Sequence, residues 1–134
     1  MQHVPFICLL YAFVLIYAPR VGPVNAEQAK LPGGYDNRDP RGQQLQLTGL
    51  GKRALGAHMN GFEAFAPFAV ALFAALFGAP QRFDLICYIA IGFCVIRTLY
   101  VIAYLGDKAT LRSGMWGLGM VSITALFVVG VIGH

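Results

Sequence analysis

Seven side chains in this sequence sit where an apolar chain has no structural need of them. Arg53, Asn60 and Glu63 fall within GKRALGAHMNGFEAFAPF at 51–68, Arg97, Tyr100 and Tyr104 within RTLYVIAYLGDKATLRS at 97–113, and Arg112 near the end of that second stretch. Both stretches run into bilayer-length apolar segments, where an ionisable group is costly unless it is paired or used. For Asn60, Tyr100, Tyr104 and Arg112 a site role is the reading, since a packing helix does not need them. For Glu63 and Arg97 a buried ion pair that fixes helix register stands beside it, although such pairs often add little net stability.

Spacing sharpens this. At helical periodicity Arg53 and Asn60 stack almost above one another and Glu63 lies within about a quarter-turn of both, so the three share a face. His58 points to the other side, has no partner at metal-ligand spacing, and reads as a helix-contact residue. Pro67 follows Glu63 by four residues, so the Glu63 carbonyl loses its helical donor and a kink is expected beside the carboxylate. Arg97, Tyr100 and Tyr104 recur at three- and four-residue intervals and line one face of their own helix.

The elements that carry these faces follow from composition. The chain has 134 residues, 57% hydrophobic and 12% charged, far more apolar than an average soluble domain. About 20 mainly apolar residues make a membrane span, and four are expected, at about 4–18, 48–77, 83–105 and 113–132. The fold class is therefore an all-α membrane protein, a four-transmembrane-helix bundle in a single domain over 1–134. The first span could be mistaken for a signal peptide, because Val24-Asn25-Ala26 resembles a cleavage site, but no Lys or Arg precedes its core. Residues 19–46 read as a long loop, with turn dipeptides at both ends of PGGYDNRDPRG. Its arginines Arg20, Arg38 and Arg41 either solvate the loop or fold over the site as a lid. Cys8, Cys87 and Cys94 lie inside spans at spacings that match neither a zinc site nor a disulfide framework. The net charge of +4 comes with no aromatic-interleaved basic patch, which argues against nucleic acid as a partner.

Topology then brings the polar residues together. Alternating helices put the beginnings of spans two and four and the end of span three on one side of the membrane, so all seven residues occupy one layer. Glu63 and Arg97 are expected at a similar depth of roughly 15 Å at 1.5 Å per residue. Eight of the ten basic residues lie on that side and Arg82 alone on the other, so the positive-inside rule places the site at the cytoplasmic face with both termini opposite.

The pattern resembles the membrane-associated proteins in eicosanoid and glutathione metabolism, the MAPEG family. The resemblance rests on four spans with a long first loop, on AHMNGFEAFAPF in span two, and on RTLYVIAYLGDKATLRS across span three and its loop. The Arg, Tyr, Tyr-Leu and Arg-Ser of the latter are similar to the prostaglandin E synthase type, and DNRDPR is similar to bacterial members, which implies a bacterial inner membrane. The resemblance further implies a homotrimer that binds glutathione between subunits and acts on lipophilic substrates reaching it from the bilayer. Carried over by residue, Asn60, Glu63, Tyr100 and Tyr104, with Arg97, would hold glutathione. Arg53 would sit at the edge of that site, and Arg112 would stabilise the thiolate. Two positions depart from the pattern: Gly56 stands where many family enzymes carry arginine, and Ala64 where leukotriene-type members carry tyrosine. The function implied is a glutathione-dependent transferase or peroxidase acting on lipophilic electrophiles or lipid hydroperoxides. The alternative is a non-catalytic bundle of the same fold that binds lipid or a partner protein.

Overall fold

The computed structural model describes residues 1–133, and these are helical almost throughout, without strands. Helix α1 (Val4–Pro19) starts with Pro5 in its first turn, where a missing N–H costs nothing. It does not end at the prolines. A π turn over Arg20–Val24 carries the chain through Pro23 into α2 (Asn25–Ala29), and the Asn25 N–H donates to the Arg20 carbonyl five residues back. The expected loop from residue 19 is thus helical for its first eleven residues. The wider turn accommodates a proline that has no N–H to offer. Val24, fully buried against Leu47 and Ala54, pulls the segment down onto the start of the next long helix.

The rest of that connection is compact. Gly33 and Gly34 turn the chain at φ +86° and +75°, a conformation that glycine adopts freely. Asp39 caps α3 (Pro40–Gln44) by accepting a 2.9 Å hydrogen bond from the Gly42 N–H. Buried Gln28 donates to the Pro40 carbonyl at 3.0 Å and to Gln43 Oε1 at 3.1 Å, while Gln43 donates to the Gly34 carbonyl at 2.6 Å and accepts from the Asp36 N–H. Two glutamines therefore tie the turn, the cap and α2 into one unit.

Three long helices complete the bundle: α4 (Gly49–Gly78), α5 (Phe83–Leu105), preceded by a 3₁₀ turn at Pro80–Arg82, and α6 (Ala109–Ile132). Helix α4 continues through Pro67 without a break. Four helical stretches, Val4–Ala29, Gly49–Gly78, Pro80–Leu105 and Ala109–Ile132, are long and apolar enough to cross a membrane. The core lies between the four long helices, with Cys8 and Ala12 of α1 joining α4, α5 and α6, where Phe68 and Phe93 stack with centroids 3.9 Å apart and Leu72, Ile86 and Leu126 are fully buried. Lipid tails are as apolar as leucine, so such helices associate through close packing rather than through water exclusion. The sequence supplies small residues for it. Ala64, Ala71 and Ala75 are buried along α4, Gly61 lets the Ile16 backbone approach, and at the far end Gly78 packs directly on the Gly130 carbonyl of α6. Large side chains such as Phe6, Leu10, Val70, Phe77 and Val121 point outward.

Candidate functional site

The polar layer forms where the first half of α4 meets the end of α5 and the beginning of α6. Helices α4 and α5 run in opposite directions, so successive residues of one meet successive residues of the other in reverse order. Arg53 Nε donates to the Leu105 carbonyl at 3.2 Å, Gly56 faces Tyr104, and Asn60 meets Arg97.

Arg97 is almost completely buried, and its Nη2 donates to Asn60 Oδ1 at 3.0 Å. The Asn60 Nδ2 donates in turn to Glu63 Oε2 at 2.8 Å. The expected direct pair between Glu63 and Arg97 is therefore not made. Among the described residues the ion pairs are Lys30–Glu27 and Arg53–Asp107, and Asn60 stands between the other two charges as a relay. An amide that accepts on one side and donates on the other satisfies both ions without bringing them into contact. Glu63 is exposed on the surface of the chain, and its Oε1 makes no hydrogen bond among the described residues.

Above this chain lie the tyrosines. The Arg97 guanidinium carbon sits 4.1 Å from the Tyr100 ring centroid, Tyr100 and Tyr104 meet edge to face at 5.7 Å, and the Arg112 guanidinium lies 4.6 Å from the Tyr104 centroid. Both arginines are within cation–π range. Arg112 belongs to the first turn of α6, which begins at Ala109 rather than at 113, because Lys108 caps it and the Arg112 N–H bonds to the Lys108 carbonyl at 2.9 Å. Asp107, at φ +58°, closes the tight turn from α5. The α6 N-terminus and the Arg112 side chain both present positive charge at the same place, a setting that favours an anion.

Two clefts open onto this layer and share Trp116 as a wall. One, about 170 Å³, is lined by Asn60, Glu63, Arg97 and Met120, with Phe93 below; the other, about 260 Å³, is lined by Tyr100, Tyr104, Arg112 and Ser113. Trp116, the sole tryptophan, lines both clefts and is a candidate that the sequence analysis did not single out. Its position four residues after Arg112, one turn further on the same face, was the available signal.

The remaining candidates lie apart from the clefts. Arg53, besides its bond to Leu105, approaches Asp107 at 4.0 Å and ties α4 to the α5–α6 turn. Arg20 faces its own connection, bonded to Asn25 and, at 3.4 Å, to Gln28 Oε1. Arg38 and Arg41 are exposed. His58, on the opposite face of α4, donates from Nδ1 to the Ile16 carbonyl at 2.7 Å and packs on Tyr17 and Phe62. A larger cleft of about 390 Å³ lies between α1 and α5, lined by Ile7, Tyr11, Cys94, Thr98 and neighbours, and is almost wholly apolar. Cys94 Sγ there points to the Cys8 carbonyl at 3.6 Å, and all three cysteines are free and buried.

Searches of curated proteins and of solved structures find no match for this chain. The family comparison is positive: the MAPEG family model matches residues 4–132, nearly the whole length. The four-helix bundle is thus an integral, multi-pass membrane protein, and the chain belongs to the MAPEG family, whose members take part in glutathione and eicosanoid metabolism.

Proposed function

We propose that the protein is a glutathione-dependent membrane transferase or peroxidase acting on lipophilic electrophiles or lipid hydroperoxides. The observation that carries this reading is the gathering of Asn60, Glu63, Arg97, Tyr100, Tyr104 and Arg112 around two clefts that share Trp116 as a wall. The donor set fits a zwitterionic peptide thiol. Glu63 keeps one carboxylate oxygen for an ammonium group, while Arg97 and the tyrosine hydroxyls offer donors for carboxylates and peptide carbonyls. Bound there, glutathione supplies a thiol nucleophile to the electrophile. Arg112, reinforced by the α6 N-terminus, holds negative charge on the sulfur and so raises the nucleophilic fraction. The apolar outer faces of α4 and α6 let a lipid-soluble substrate reach the cleft from the bilayer.

Function and assembly are linked. An exposed carboxylate within a membrane-spanning helix is unfavourable in lipid, so Glu63 supports a homotrimer in which a neighbouring copy covers this face and completes the site. The distribution of basic residues supports a site at the cytoplasmic face, and the similarity of DNRDPR to bacterial members of the family supports a bacterial inner membrane. Arg38 and Arg41, exposed on the connection and apart from the clefts, remain the lid residues of this proposal. A non-catalytic role in binding lipid or a partner is the second reading. It is favoured by Gly56, whose position has no side chain and is filled by Tyr104.

The test is glutathione titration of the purified protein in detergent, followed by thiolate ultraviolet absorbance. Saturable binding with a thiolate signal supports the enzyme; binding without thiolate, or no binding at millimolar glutathione, overturns it in favour of the second reading. In the Arg112→Ala variant the thiolate signal and turnover are expected to fall by about 10²-fold with little change in affinity. Unchanged turnover removes Arg112 from the chemistry. Glu63→Ala is expected to shift the particle toward smaller species by light scattering, and an unaltered size argues against an assembly that depends on Glu63.

A further inference from the structure

Gly56 lies inside α4, at a place where helix geometry asks for nothing special. Its φ is ordinary and it is partly buried. Glycine inside a helix is destabilising relative to alanine, so its presence needs another cause. A Cβ built on Gly56 would overlap the Tyr104 hydroxyl and come within 2.7 Å of Tyr104 Cζ and 3.3 Å of Cε1. The other tight glycines of α4 answer to different neighbours: Gly51 meets the side chains of Glu27 and Leu47, Gly61 meets the backbone and side chain of Ile16, and Gly78 meets the backbone of Gly130. Gly56 alone among them gives its space to the tip of a side chain in the candidate site.

That tip belongs to the ring on which Arg112 rests, 4.6 Å from guanidinium carbon to centroid. The same ring meets Tyr100 edge to face, and Tyr100 in turn carries Arg97. Tyr104 is thus held between the bare backbone of α4 and the guanidinium at the start of α6. We infer that Gly56 is a positioning residue that sets Arg112 by seating the Tyr104 ring against α4. Its effect on glutathione chemistry rests on the proposed function; its effect on the position of Tyr104 and Arg112 does not.

Substitution has a definite physical outcome. The atoms a new Cβ meets are the far end of Tyr104 and not backbone, so Gly56→Ala displaces the ring and leaves α4 intact, with a gain in helix propensity. The displaced ring no longer supports Arg112, and Trp116, on the wall of the same cleft, reports the change without any ligand. The experiment uses the full chain in detergent and measures iodide quenching of Trp116 fluorescence, thiolate absorbance with glutathione, and melting temperature. It compares wild type, Gly56→Ala, Tyr104→Leu and the double variant. Gly56→Ala is expected to alter Trp116 quenching and to lower the thiolate signal about tenfold, with glutathione affinity and melting temperature nearly unchanged. In the Tyr104→Leu background, where the ring that the new methyl meets is gone, the same change is expected to cost roughly threefold or less, a non-additivity that marks direct coupling. Trp116 quenching that is the same in Gly56→Ala as in wild type overturns the inference, and so does an equal effect of the substitution in both backgrounds. If wild type forms no glutathione thiolate, the proposed function fails while the quenching comparison still decides the role of Gly56.

Discussion

Two polar networks in this molecule are built from similar groups and end differently. In the connection between α2 and α4, Gln28 and Gln43 are buried, and their amides are taken up by Pro40, Gly34, Asp36 and one another. At the helix layer, the chain from Arg97 through Asn60 stops at Glu63, which is exposed and keeps an oxygen to spare. The first network is closed and the second open. A closed network holds backbone together, because every group has its partner and water is kept out. An open one next to a cleft retains bonding capacity for something that is not part of the chain. Burial and residue type alone do not separate the two; unused valence does.

The comparison can be broken by substitution. The largest effect on stability is expected for Gln28→Leu, which strips the Pro40 carbonyl and Gln43 of a buried partner. Unfolding in detergent is expected to become easier by about 2–3 kcal/mol, with faster proteolysis between 30 and 46 and unchanged glutathione affinity. Lost glutathione binding without lost stability would reverse the assignment of the two networks. Asn60→Ala comes next, since it removes the relay: calorimetric affinity for glutathione is expected to fall about tenfold, or about 1.4 kcal/mol, with a smaller change in melting temperature. Glu63→Gln keeps the shape and loses the charge, so a weakening of roughly threefold is expected, most visible against a glutathione analogue lacking the amino group. Arg41→Ala, an exposed position of the connection, is expected to change stability by no more than about 0.5 kcal/mol. A turnover effect there would sharpen the lid proposal.

Much of the helix layer was legible in the sequence, because the cost of polar groups in lipid and the alternation of helices are both strong constraints. They brought Asn60, Arg97 and the tyrosines to one level without any coordinates. What they could not reveal depended on short-range geometry. The relay through Asn60 arises because the Arg97 guanidinium meets the nearer amide and stops short of the carboxylate, and Arg53 found a carbonyl at the end of α5, since a helix terminus presents unpaired acceptors. The helical course through Pro19 and Pro23 was hidden because proline usually marks a helix end, and the burial of Val24 that overrides this is a tertiary effect. Trp116 escaped notice because one aromatic residue in an apolar helix carries no signal until a cleft forms beside it.

The contact of Gly78 with Gly130 ties the far end of the bundle to the geometry of the site. Helices α4 and α6 touch backbone to backbone there, at the end away from the site, whereas Trp116 and Asn60 face each other across open space. Arg112 lies eighteen residues from Gly130, about 27 Å along the helix, so pivoting α6 by about 5° around the glycines carries Arg112 through about 2 Å. A displacement of that size exceeds the tolerance of aligned reacting groups. A side chain larger than glycine at Gly78 or Gly130, which would push the two backbones apart at one end of the molecule, would therefore move the cation at the other.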